Sequence, residues 1–121
     1  MTPEDRRELD QPTQPEADAE GARKAERLLH HKFEAWLRLN KLGYDHSRTD
    51  RKATNTAGKP DFEVYGRAGT TCHVEFKVPP NVLSDDQERF LFMLHTFGHH
   101  AIVTDSAVDA INWTKKQLGM V

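Results

Sequence analysis

Cysteine is nearly absent from this chain: Cys72 stands alone among 121 residues. One thiol excludes an intrachain disulfide framework, and its place on the apolar side of an alternating stretch predicts a reduced, buried side chain. Long apolar runs are missing as well. No stretch approaches the roughly 20 residues of a membrane-spanning helix, and no secretory leader pattern is present. These absences predict a soluble, cytoplasmic or otherwise intracellular protein with no membrane partner. With only 36% hydrophobic and 8% aromatic residues, the one domain that this length supports can bury only a modest core.

Charge is nearly balanced in sum but unevenly spread. Residues 1–20 carry seven acids against Arg6 and Arg7, include three of the six prolines and contain no aromatic residue. That composition predicts a mobile or weakly helical acidic leader, with the folded domain occupying residues 21–121. Residues 23–59 hold ten Lys and Arg against Glu26, Glu34, Asp45 and Asp50. This basic segment suits a phosphate backbone, and it equally suits a solvated helix face followed by a charged loop.

From about Glu20 to Leu42 the chain reads as a long helix. Leu29, Phe33, Trp36 and Leu37 recur at helical spacing, and Gly43 is the expected stop. Glu26, His30, Phe33 and Leu37 share a spacing that puts Glu26 at the edge of the inward face. Tyr44 to Asp50 is the first expected strand, followed by a polar loop, ATNTAGKP. After the central hairpin, Val78-Pro79-Pro80 ends a strand. Ser84-Asp85-Asp86-Gln87 is a capping box that opens a helix to about Phe97, with Gly98 at its end. His100 to Thr104 reads as a short buried strand, and Ser106 caps a last helix to about Leu118. A helix between the third and fourth strands implies a parallel crossover, hence a mixed α/β sheet flanked by helices.

The hairpin runs from Gly58 to Lys77. Side chains alternate across a strand, so Cys72, Val74 and Phe76 share one face and His73, Glu75 and Lys77 the other. On the partner strand, Phe62 and Val64 oppose Asp61, Glu63 and Tyr65. A turn centred near Ala68 sets Asp61 opposite or nearly opposite Glu75, where Cβ atoms stand about 5 Å apart and like charges repel. A solvated sheet face is the ordinary reading of such alternation. A divalent cation between the two carboxylates is the other, since hard ions such as Mg²⁺ take carboxylate oxygens, water and substrate phosphate. The seven histidines offer no comparable set. His95 and His99 have HxxxH spacing, but Gly98 interrupts the helix and no third zinc ligand stands at useful spacing. His73 shares the face of Glu75 and reads as a sheet-surface histidine.

Pro60-Asp61, thirteen residues, and then Glu75-Phe76-Lys77 resembles the PD-(D/E)XK nuclease signature. The longer series is similar to the VRR-NUC (virus-type replication-repair nuclease) branch of that superfamily. It comprises GKPDF, the EFK strand, Leu83-Ser84-Asp85-Asp86-Gln87, Gly98 and a short apolar strand, and it spans Glu26 to Trp113. The resemblance implies a restriction-endonuclease-like αβββαβ core with an extra C-terminal helix. It implies a Mg²⁺- or Mn²⁺-dependent deoxyribonuclease that hydrolyses phosphodiester bonds, acting on branched or junction DNA and working as a homodimer. Asp61, Glu75 and the backbone carbonyl of Phe76 are then metal ligands, and Lys77 stabilises the transition state or orients water. The family carries a helix-borne acid about ten residues before an aromatic–Leu pair. Glu26 stands there relative to Trp36-Leu37, with Glu34 as its competitor. The resemblance also turns Gln87 toward the catalytic centre, and sets Arg48, Arg51, Lys52 and Lys59 against the DNA backbone. The alternatives are a non-catalytic nucleic-acid-binding module on the same fold, or a protein-interaction subunit docking through its acidic leader.

Overall fold

A computed structural model describes residues 13–47 and 57–120. The element order is α1 (Gln14–Leu39), β1 (Gly43–His46), β2 (Phe62–Tyr65), β3 (Thr71–Phe76), α2 (Asp85–Thr96), β4 (His100–Thr104) and α3 (Ala107–Gln117). The strands form one sheet in the order β1-β2-β3-β4. β1–β2 and β2–β3 are antiparallel and β3–β4 is parallel, so the protein is a mixed α/β fold with a four-stranded sheet and three helices.

Alternation in β2 and β3 divides the two faces. Phe62, Val64, Cys72, Val74 and Phe76 are buried in one cluster with Phe33 and Leu37 of α1 and Ala110 of α3. Phe33 sits at its centre, edge-on to Phe62 at 5.1 Å and to Phe76 at 5.6 Å between ring centroids. Aromatic rings meeting edge to face gain about 0.5–1.5 kcal/mol beyond their burial. The opposite face carries Asp61, Glu63, His73 and Glu75. α2 packs against β4, with Leu91 and Leu94 buried. His73 is also buried, at 6% exposure, with the His99 ring 6.3 Å away, although alternation alone places it at a solvated surface.

Helix α1 begins six residues earlier than its apolar stripe suggests. Thr13 accepts from the Glu16 N–H while the Glu16 side chain reaches back to the Thr13 N–H, and Pro15 lies in the first turn. This reciprocal cap starts a helix without apolar side chains. The first part of the expected leader, residues 1–12, lies outside the described residues. At the other end Gly43 is not the stop. The helix ends at Leu39, Lys41 takes the left-handed conformation with φ 54°, and Gly43 opens β1. β1 ends at His46, short of the expected Asp50; residues 48–50 lie outside the described residues.

The hairpin closes through a 3₁₀ turn at Arg67–Gly69, with Ala68 at φ 57° and the Gly66 N–H donating to the Thr70 carbonyl at 2.7 Å. Approaching β2, Gly58 holds φ 82°, and a Cβ there would run into the Asp86 carbonyl. Glycine therefore lets the segment before Asp61 lie against the first turn of α2, bringing the start of β2 and the capping box of α2 together.

Candidate active site

The ladder pairs Phe62 with Val74 and Glu63 with His73. Continued one step, it sets Asp61 opposite Glu75 where β2 begins and β3 ends. The Asp61 N–H donates to Glu75 Oε2 at 2.9 Å, and Asp61 Oδ2 accepts from the Phe76 N–H at 2.8 Å. Each acid thus satisfies backbone that the ladder leaves unpaired. Asp61 is 8% exposed and Glu75 2%. Burial, together with the neighbouring Asp61 carboxylate, pushes the Glu75 carboxyl up to about 8; the Asp61 N–H and the Lys77 ammonium oppose the rise.

Two helices brace this pair. From α2, Gln87 Nε2 donates to Glu75 Oε1 at 2.9 Å. The same side chain completes the cap of its own helix, where Gln87 Oε1 accepts from the Ser84 N–H at 2.8 Å and the Gln87 N–H donates to Ser84 Oγ at 3.1 Å. Gln87 therefore caps its helix and contacts Glu75 through different atoms of one amide. Lys77 Nζ lies 3.8 Å from Glu75 Oε1, an ion pair rather than a hydrogen bond.

From α1, Glu26 Oε1 accepts from the Val78 N–H at 2.9 Å and from Asn81 Nδ2 at 3.4 Å. Glu26 thereby fixes the chain as it leaves β3, just beyond Lys77. Glu34 faces elsewhere, meeting Arg38 at 2.9 Å and His46 Nδ1 at 3.1 Å. Of the two helix acids, Glu26 reaches the end of β3. One turn after Glu26, His30 places Nε2 3.0 Å from Asp61 Oδ2. Its ring packs against Phe62, Phe76 and His46. His46 stacks on Phe62 at 4.2 Å, and burial lowers its pKa, with His30 adding to the effect and Glu34 opposing it.

Phe76 has its N–H aimed at Asp61, whereas the next N–H, of Lys77, donates to the Thr104 carbonyl of the neighbouring chain segment at 3.1 Å. A strand residue's N–H and C=O point to the same edge, so the Phe76 carbonyl also faces the Asp61 side. Among the proposed DNA contacts, Lys59 is paired with Asp45 at 3.0 Å and Glu63 at 3.7 Å. Its pKa is raised, chiefly by the hydrogen bond to Asp45. Arg48, Arg51 and Lys52 lie outside the described residues.

The structure thus brings Asp61, Glu75, Lys77, Gln87 and the Phe76 backbone to one end of the sheet, with Glu26 beside them. His30 is the addition that sequence reading gave no role, although its spacing of four from Glu26 already put both on one helix face. Among the described residues, no group of three or more His, Cys, Asp or Glu converges on a common metal position, and no helix is long and apolar enough to cross a membrane. No protein-family model matches the chain, and comparison with curated proteins and with solved structures finds no match.

Proposed function

We propose that this chain is a divalent-cation-dependent nuclease of the VRR-NUC kind, hydrolysing phosphodiester bonds in DNA. The observation that carries this reading is the meeting of Asp61 and Glu75, two buried carboxylates held against each other with an ammonium group alongside. Such a pair is electrostatically costly without a cation. The donor set fits Mg²⁺ or Mn²⁺. Mg²⁺ takes one or two carboxylates and keeps several waters, so it does not require three convergent side chains. Asp61, Glu75 and the Phe76 carbonyl would hold it. When bound, the ion supplies Lewis acidity toward a phosphoryl oxygen and lowers the pKa of a coordinated water.

The chain's own residues divide the remaining tasks. Asp61 and Glu75 are each fixed by a backbone N–H of the opposite strand, so neither needs to reorganise. Gln87 holds Glu75 Oε1 from the α2 side. The Lys77 ammonium sits where negative charge grows on the phosphoryl group, and such preplaced charge is the main source of stabilisation in this chemistry. Glu26 keeps the Lys77–Val78 segment in place. The basic composition of residues 23–59 supports a polyanionic substrate, with branched or junction DNA the form we favour.

Cleavage of linear duplex, single-stranded, flap and four-way DNA, each with Mg²⁺, Mn²⁺ or a chelator, tests the proposal. Metal-dependent scission lost in Asp61→Ala supports it. Binding to these DNAs without scission under any metal condition would identify a non-catalytic module instead.

A further inference from the structure

His30 carries a nitrogen with one polar neighbour. Nε2 is buried, lies 3.0 Å from Asp61 Oδ2, and has no aligned hydrogen-bond partner among the described residues. A hydrogen bond from His30 to this oxygen requires the proton to sit on Nε2. The ring cannot swing far, because Phe62, Phe76 and His46 surround it.

Asp61 Oδ2 already accepts from the Phe76 N–H at 2.8 Å. His30 Nε2, 3.0 Å away, is the one further nitrogen within reach of the same oxygen among the described residues. No hydrogen bond within the described residues uses Oδ1. With its ring turned slightly into line, His30 would give that oxygen two donors, fixing the rotation of the carboxylate and leaving the other oxygen for a cation. On the Glu75 side, Gln87 has the corresponding task. α1 and α2 therefore each bring one side-chain nitrogen to one of the two acids.

We infer that His30 is a positioning residue for the proposed cation site: it holds Asp61 through Oδ2 so that Oδ1 faces the metal. This inference rests on the metal-dependent reading above. Groups that orient a metal-binding carboxylate or histidine typically contribute tenfold to hundredfold in metal affinity.

Mn²⁺ binding to the full chain, followed by electron paramagnetic resonance, separates the two ideas without relying on turnover. Wild type, Asp61→Asn, His30→Leu and His30→Gln are compared, with thermal melts to establish that each is folded. His30→Leu keeps apolar bulk against Phe62 and Phe76 but has no donor; His30→Gln restores an N–H donor. The expected result is Mn²⁺ binding that is lost in Asp61→Asn, weakened about tenfold to hundredfold in His30→Leu, and recovered in part in His30→Gln. Equal affinity in wild type and His30→Leu, with Asp61→Asn still deficient, overturns the role of His30 and leaves the metal site standing. If wild type binds no more tightly than Asp61→Asn, the metal reading fails and this inference falls with it.

Discussion

Asp61 and Glu75 exchange hydrogen bonds across the end of the β2–β3 ladder: the Asp61 N–H binds the Glu75 carboxylate, and the Asp61 carboxylate binds the N–H of Phe76, the residue after Glu75. The acids replace ladder bonds at the point where β2 has not yet begun. Their proximity is therefore built into the backbone register, and the electrostatic cost of the pair comes with it.

That cost has a sign that can be measured. Glu75 is raised in the folded state to about 8 from an ordinary value of 4.5. The folded protein retains a proton that the unfolded chain has released, so this group's contribution is complete below about 4.5 and is lost as pH rises to about 8. The loss should be on the order of 2–4 kcal/mol in chelator. His46 and His73 have lowered values and act the other way, losing stability as pH falls below the ordinary histidine value. Denaturant unfolding of wild type and Glu75→Gln at several pH values isolates the Glu75 contribution as their difference. That difference should grow in favour of Glu75→Gln from acid to mildly alkaline pH, and Mg²⁺ should reduce it.

Lys77 stands 3.8 Å from Glu75 Oε1 and is partly exposed, so its removal should spare the fold. Lys77→Ala should reduce DNA cleavage by at least about 100-fold, in line with loss of one preplaced group at a developing charge. Melting temperature should change little. Turnover equal to wild type in the purified variant would remove Lys77 from the chemistry.

Gln87 performs two tasks with one amide, and two substitutions separate them. Gln87→Glu keeps an acceptor for the Ser84 N–H but sets a third acid against Glu75. Gln87→Ala loses the brace and the Ser84 N–H half of the capping box, at roughly 0.5–1.5 kcal/mol for that hydrogen bond, while its backbone N–H still donates to Ser84 Oγ. In chelator above about pH 8, where Glu75 is ionised, Gln87→Glu should be destabilised through charge repulsion, and added Mn²⁺ should recover most of the loss. Gln87→Ala should show no such recovery. Thermal melts with and without Mn²⁺ distinguish these outcomes.

Gly58 links the approach to β2 with the start of α2. Gly58→Ala would meet the Asp86 carbonyl at a backbone conformation that favours glycine. Strain of this kind costs about 1–3 kcal/mol, and it should displace Asp61 relative to Gln87. Chemical denaturation should show the stability loss, and cleavage should fall further than the change in folded fraction explains.

The sequence made the sheet legible because alternation and turn chemistry agreed. Phe62, Val64, Cys72, Val74 and Phe76 declare one face, and the turn around Ala68 sets the register that brings Asp61 to Glu75. The capping box declared the start of α2 for the same reason: Ser84 and Gln87 carry it in their side chains. Features without a period of their own were harder to read. The first turns of α1 are polar and exposed, so only the Thr13–Glu16 cap marks them. Lys41 in a left-handed conformation ends the helix where glycine was the expected signal. His73 reads as exposed from alternation, yet the folded chain buries it beside His99. His30 reads as one more histidine until Asp61 comes within 3.0 Å, a contact between residues 31 positions apart that no local pattern encodes.

Anomalous scattering from crystals soaked in Mn²⁺ bears most directly on whether Asp61 and Glu75 grip one cation. The account predicts a peak within about 2.0–2.3 Å of an oxygen from each carboxylate, lost in Asp61→Asn crystals. A soaked wild-type crystal with both carboxylates ordered and no peak between them would contradict it.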